Sequence, residues 1–317
     1  MRAVTIMHGD DVGLTASQRS DGTVVDQTKP GWHIPLDTLA VDPASYAAVV
    51  QGGGVVAAAL TQSGTAVLGA TSAGMRRLDA GGTVEIDNTV RLTVTAVVPD
   101  SVIAAAELVV SYNTGIDIGV TTPRAALLRY VADRAQLERA ITALLPTRTA
   151  ARFRGPGETT FLRHGDAVLA QVFVKQLFGE FALRPRGASA LELDPAWVDA
   201  NIVDAEVPVL GHARCHRRVV AALSGAIGEL VDAGLTRLID TASFGGCYNP
   251  RLIGPGLGIS RHAWGIAVDL NVSTNPLGGA SRQDPRLVEI MRRWGLAWGG
   301  EWLRADPMHF EYLTPPR

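Results

Sequence analysis

S-R-H-A-W-G-I-A-V-D, residues 260–269, decides how the C-terminal half of this chain folds. His262 and Asp269 are both metal-competent, and Gly265 stands between them just before an apolar alternation. Across Ile266, Ala267, Val268, Asp269 and Leu270, the large apolar residues take one face of a strand and Asp269 the other. A turn at Gly265 would swing the His262 imidazole back over that strand toward Asp269. Loop and strand then supply two corners of a tetrahedral site, and the third is expected from P-M-H-F-E at 307–311.

In that last segment His309 and Glu311 share one face of an extended chain, and Met308, Phe310 and Tyr312 the other. With the apolar face packed, His309 points into the same cleft as Asp269. Two histidines, a carboxylate and an open fourth position describe a catalytic rather than a structural zinc site. A water coordinated there has a pKa of ~7. Hydrolysis also needs a base that is not itself a ligand. Asp306, three residues before His309 with Pro307 stiffening the approach, is favoured on spacing over Glu301 and Glu311. Arg251, at the end of T-A-S-F-G-G-C-Y-N-P-R (241–251), is the nearest cation in sequence for an oxyanion or a substrate carboxylate. The same residues would also suit a structural metal site, or serve as ordinary core and surface histidines.

A chain of 317 residues is longer than one core usually spans, so two domains are expected. Hydrophobic residues at 47 % against 19 % charged, with a mean hydropathy of +0.15, argue for packed cores and against disorder. The net charge of -2 provides no field to recruit nucleic acid or an anionic membrane. No apolar run approaches the ~18–20 residues of a membrane span. The first residues lack the apolar core of a signal peptide, so the chain reads as cytoplasmic or as an exported protein without its leader. Cys215 and Cys247 lack C-x-x-C spacing, which argues against a cysteine zinc site. They read equally as one disulfide of an exported protein or as two buried thiols.

Turn residues at Asp10-Asp11, Ser20-Asp21-Gly22 and Lys29-Pro30-Gly31 predict a loop-rich stretch over residues 1–50. Short Val-, Thr- and Ile-rich runs predict strands at 55–60, 65–68, 83–86, 91–98 and 107–111. Thr122 and Pro123 predict a helix start, with an apolar stripe from Leu127 to Leu144 closing a first domain at residue 145. Residues 146–158 read as a linker, 168–173 as a strand, His164 as a surface-turn histidine, and Asp194 as the cap of a short helix carrying Trp197. A helix is expected over 214–233, with His212 and His216 at its start, and a strand over 235–240. A short helix over 287–294 and a strand over 308–313 complete the chain. The fold class expected is α+β: a β-rich domain over 1–145, then a domain over 146–317 with an antiparallel sheet, flanking helices and the metal site.

The combination S-x-H-x-x-G-x-A-x-D, W-G-G-E-W and D-P-M-H-F-E resembles the zinc peptidases that act on bacterial cell-wall peptides. That family includes the D-alanyl-D-alanine carboxypeptidases and the L-alanyl-D-glutamate endopeptidases. An Asp rather than a Glu ahead of the last histidine resembles the endopeptidase branch. The resemblance spans about 207–312 and implies Zn2+ on His262, Asp269 and His309, Asp306 as base, Arg251 on substrate or oxyanion, and Ser260 near the metal binding substrate. It implies a peptidoglycan stem peptide as partner and an extracytoplasmic location. Endo- or carboxypeptidase action, oligomeric state and the role of residues 1–145 stay open. A non-catalytic wall-binding or signalling protein keeping the metal fold is the alternative.

Overall fold

The β-branched runs of the N-terminal half find one another around a single long strand. In this computed structural model, residues 3–313 are described apart from 132, 148, 150, 156–168 and 255–257, so His164 lies outside the described residues. The strands in chain order are β1 (Ala3–Gln18), β2 (Val24–Gln27), β3 (Ile34–Val41), β4 (Thr65–Gly69), β5 (Thr83–Ile86), β6 (Val90–Val98), β7 (Leu108–Ser111) and β8 (Pro123–Arg129). After these come β9 (Leu183–Arg186), β10 (Ala190–Leu193), β11 (Ile202–Val207), β12 (Gly211–His216), β13 (Ala267–Asp269), β14 (Leu296–Trp298) and β15 (His309–Tyr312). The described residues form two compact units. One holds residues 3–155, Ala170–Arg184 and Gly258; the other holds Leu169 and the chain from Pro185 onward.

In the first unit β1, β3, β7, β4, β6 and β5 follow one another by hydrogen bonding, and β5 pairs back onto β1 to close a six-stranded barrel. The pairs β3–β7 and β4–β6 are parallel, and the others are antiparallel. Period-2 alternation divides the apolar residues between two cores. Leu36, Ala40, Ala66 and Leu68 pack with Leu14, Leu92 and Val110 in one cluster. Leu39, Val41 and Val67 turn to the other, where Tyr46, Val56 and Leu60 come from the helices Pro43–Val49 and Gly53–Ala59 and their edges. Each such side chain contributes ~1.5–3 kcal/mol on burial.

Several expectations for this unit are corrected. Residues 3–50 are mostly strand: the Asp10-Asp11 pair taken for a turn lies within β1, where Asp10 accepts the Thr121 and Thr122 amides and Asp11 accepts from Gln171, whereas Ser20-Asp21 and Pro30-Gly31 are turns as expected. Residues 53–59 are helical because the Ala-rich run follows Gly52 in the left-handed region (φ +80°) and buries Val56. The helix expected from Pro123 is instead β8, with Leu127 and Leu128 paired to Thr5 and Val4. A helix follows only at Arg134–Leu144, capped by Asp133. Of the strand expected at 168–173, residues 171–173 belong to the helix Gln171–Phe178, whose Lys175 is buried beside Glu107 (2.8 Å) and Glu180 (2.9 Å), and residue 168 lies outside the described residues. Arg76, also buried, reaches Glu180 at 2.5 Å.

In the second unit, β11 and β12 form a hairpin leading into the helix Arg217–Asp232. His216 caps that helix by accepting the Arg218 N–H, and Val219, Leu223, Ala226, Ile227 and Leu230 bury one face. The helix therefore starts three residues later than expected, and His212 and His216 lie on β12 rather than on a helix face. His212 is exposed between Asp204 and Glu206. Residues 236–238 form a 3-10 turn and not a strand, because the Asn271 side chain bonds the Leu238 carbonyl and the Asp240 amide that a neighbouring strand would have taken. Asp284 and Pro285 start the helix Pro285–Arg293, which buries Leu287, Val288, Ile290 and Met291. The antiparallel sheet is small, three strands in the order β13-β15-β14. Among the described residues no single helix is long and apolar enough to cross a membrane.

Candidate metal centre

The central sheet registers Asp269 opposite His309 and Ala267 opposite Glu311. Both carboxylates and the histidine thus come from two short, fully packed strands. His262 arrives from the other direction, on the 3-10 turn Arg261–Trp264. Ser260 caps that turn, its hydroxyl accepting the His262 N–H at 3.3 Å. Gly265 ends it at φ +66°, and a Cβ there would lie 2.8 Å from the His216 nitrogen. Only glycine meets both demands at once.

These elements bring three ligand atoms together. His262 Nε2 is 3.2 Å from Asp269 Oδ1 and 3.3 Å from His309 Nδ1, and His309 Nδ1 is 3.1 Å from Asp269 Oδ1. Ligands held ~2.0–2.2 Å from a tetrahedral zinc stand about 3.3–3.5 Å from one another, so the triangle fits the ion with little adjustment. Among the described residues it is the one group of three His, Cys, Asp or Glu with this closeness.

The other ring nitrogen of His262 fixes its tautomer. His262 Nδ1 is 2.7 Å from the Cys247 carbonyl, which can only accept, so Nδ1 carries the proton and Nε2 offers its lone pair. His309 Nε2 faces Glu311 Oε2 at 3.6 Å, and Glu311 is paired with Arg261 at 3.4 Å. Arg261 in turn donates to the Leu169 carbonyl. The Trp302 ring packs at a tilt of 53° against the His309 ring, centroids 5.1 Å apart.

The charges match a cation. Burial works against ionised Asp269, but the imidazoles of His262 and His309 beside it outweigh it and hold the carboxyl below the usual range. Burial disfavours charge on His309 as well, yet Asp269 and Glu311 raise its ring to about 10. A positive charge is what this carboxylate-lined pocket stabilises.

Asp306 sits beside the triangle on a turn that hydrogen bonds Gly299 (2.9 Å) and His309 (3.1 Å). The Trp298 indole donates to the Pro307 carbonyl at 2.8 Å and holds the turn from below. Burial pushes the Asp306 carboxyl up, His309 opposes this and Asp269 adds to it. Its Oδ1 is buried with no hydrogen-bond partner. The competing carboxylates are engaged elsewhere: Glu301 is exposed and paired with Arg292 (2.6 Å), and Glu311 stands behind His309. Arg251 is half-buried, bridges Ala190 in the β10 hairpin, accepts the Ser260 N–H on its carbonyl (3.0 Å), and its charge acts on Asp306. All six residues singled out in sequence thus lie in one neighbourhood of the second unit.

The outer partners were less visible. Glu311 was legible from sharing a face with His309, though as a rival base. Arg261 carried no signal of its own, Trp302 entered only as the end of W-G-G-E-W, and the Cys247 carbonyl is a backbone group that no residue pattern reveals. Cys215 and Cys247 form a disulfide, Cα–Cα 5.1 Å.

Comparison with known proteins gives one family match. The profile of a family described as D-alanyl-D-alanine carboxypeptidase matches residues 254–312. That segment contains Ser260, His262, Asp269, Asp306 and His309 and leaves out Arg251. It supports a hydrolase of the cell-wall peptidase kind for the second unit, a type whose zinc dependence is a family-level property. No match is found among curated proteins. Among solved structures, a domain assigned to a permease from Porphyromonas gingivalis is similar at 16% identity with a TM-score of 0.28, covering 44% of this chain and 62% of that one. That likeness is too slight to inform the fold.

Proposed function

We propose that the second unit is a zinc peptidase that hydrolyses peptide bonds in peptidoglycan stem peptides, of the L-alanyl-D-glutamate endopeptidase or D-alanyl-D-alanine carboxypeptidase type. The observation that carries this reading is the His262–Asp269–His309 triangle beside a buried, unpartnered oxygen of Asp306. Zinc held by the three ligands would supply Lewis acidity to a peptide carbonyl and bring the pKa of a water to ~7. Asp306 is the base in this proposal: Oδ1 takes a proton from the attacking water and delivers it to the departing amine. A carboxyl raised by burial suits both halves of that exchange. Arg251 binds the developing oxyanion or a substrate carboxylate, for which its forked guanidinium is suited. Ser260 accepts from the His262 amide and keeps its own O–H to donate to substrate.

An extracytoplasmic setting accords with the family match and with the Cys215–Cys247 disulfide. The test is mass spectrometry of defined muropeptides after incubation with the zinc-loaded chain. New amine termini at one stem-peptide bond are expected, absent after His262→Ala, which should also lower bound metal by elemental analysis. Peptidoglycan binding with no bond cut would overturn the enzymatic reading, and unchanged metal content in His262→Ala would remove the zinc site.

A further inference from the structure

Resting on that zinc-site reading, we propose that the Cys215–Cys247 disulfide is a positioning device for the metal centre, so that zinc is held tightly only in the oxidised protein. Cys215 is fully buried on β12, a strand anchored by its hairpin partner β11 and by the His216 N–H bond to the Gly265 carbonyl (2.9 Å). Cys247 belongs to an irregular segment, residues 244–250, whose one ladder contact is a single bridge between Gly246 and Asp269. That segment touches two of the three ligands. The Cys247 carbonyl accepts from His262 Nδ1 at 2.7 Å. The Gly245 N–H donates to the Asp269 carbonyl at 2.9 Å, and a Cβ at 245 would stand 2.8 Å from the Asp269 Cβ. Four residues beyond Cys247 the same segment delivers Arg251.

Besides the disulfide, the segment is held by separate backbone hydrogen bonds, among them the Leu191 N–H to the Pro250 carbonyl (2.9 Å), and by the Arg214 guanidinium 5.1 Å over the Tyr248 ring. Tyr248 donates to the Arg214 carbonyl (2.9 Å) and Asn249 to the His262 carbonyl (3.0 Å). Such bonds are individually weak against solvent competition. The disulfide is the covalent anchor, joining the segment to β12 across 32 residues of sequence. Once the carbonyl of Cys247 is free to move, His262 loses the acceptor that keeps the proton on Nδ1. A ring with its proton on Nε2 turns a donor, not a lone pair, toward the metal. Losing an outer partner of this kind costs about 10- to 100-fold in metal affinity.

Reduction breaks the S–S bond and yields two thiols. With a trialkylphosphine, one water supplies the oxygen of the phosphine oxide and the two protons, and the phosphorus supplies the two electrons. The experiment compares the full chain oxidised, phosphine-reduced, and as Cys215→Ala/Cys247→Ala, which removes any thiolate that might bind zinc itself. Zinc affinity is read by competition with a chromophoric chelator, the His262 tautomer by 15N NMR, and folding by thermal unfolding. The expected result is one tight zinc in the oxidised chain and affinity about 10- to 100-fold weaker in the other two. Those two should stay folded and show mixed His262 tautomers. Equal affinity in all three forms overturns the positioning role and leaves the zinc site standing. Zinc loss that appears only with unfolding of the second unit also overturns it, making the disulfide a fold staple. No zinc in the oxidised chain sinks both this inference and the reading it rests on.

Discussion

Asp306 lies three residues before His309 and Glu311 two after it, and the surroundings of the two carboxylates separate their work. Each has a buried oxygen with no hydrogen-bond partner, but Glu311 is also within ion-pair distance of Arg261 (3.4 Å) and His309 (3.6 Å). Asp306→Ala should therefore keep bound zinc and lose hydrolysis by about 10²–10⁴-fold, the usual share of a general base. Stoichiometric zinc with unimpaired cleavage would assign the base elsewhere. Glu311→Gln should act on the metal instead. It withdraws the charge behind His309 and takes from the buried Arg261 guanidinium its carboxylate. Zinc affinity is expected to fall about tenfold or more, and stability by some 3–5 kcal/mol, as when one partner of a buried pair is removed. Chelator competition and denaturant unfolding measure the two effects separately. Substrate cleavage lost at unchanged zinc affinity would show Glu311 to be the base after all.

Short elements carry the centre: a four-residue 3-10 turn, a three-residue strand and a four-residue strand. Their conformation is set by closely fitted neighbours more than by propensity, and Gly265 is the clearest case. Gly265→Ala forces a Cβ against the His216 nitrogen at a left-handed φ, so a loss of about 1–3 kcal/mol is expected. The turn carrying His262 should shift with it, lowering metal affinity. Thermal unfolding and a zinc titration check both, and an unaffected zinc titration would mean the turn is held by other contacts. This fitting explains what was legible in the sequence. Gly265, the alternation at 266–270 and the face shared by His309 and Glu311 are local patterns, and each reads directly. Residues 121–145 are not legible in that way, because Leu127 and Leu128 satisfy a helical period as well as a strand, and the choice is made by β1 more than 110 residues earlier. The strand expected at 235–240 failed for a similar reason, since the Asn271 side chain occupies the backbone groups a partner strand would use.

At the scale of the whole molecule, the first unit has its own titration behaviour, rooted in the buried group of Arg76, Glu107, Lys175 and Glu180. Burial raises the Glu180 carboxyl, but Lys175 and Arg76 overcome this and bring it down to about 2. A depressed acid adds stability that is full above its unfolded value of ~4.3 and fades as pH falls toward the folded one. The advantage of the native chain over Glu180→Gln, on the order of 2–3 kcal/mol at neutral pH, should shrink between about pH 4.5 and about 2. Glu107 is raised by burial and pulls the other way, so the difference between the two chains is the informative quantity. Hydrogen exchange of the barrel strands measures it, and a pH-independent difference would refute the assignment. Tryptophan fluorescence reports the second unit instead, since Trp197, Trp264, Trp294, Trp298 and Trp302 lie there and Trp32 alone in the first. The long strand β1 has a further consequence, for the order of events during folding. It hydrogen bonds to β2, β3, β5 and β8, so this strand waits for its last neighbour until residue 129 has been made. Closure of the ring needs contacts of high sequence separation, the feature that slows two-state folding into the millisecond-to-second range. Until then Ala3–His8 of β1 keep an open backbone edge, which makes the nascent barrel, not the finished one, the stage most exposed to aggregation and most dependent on chaperones.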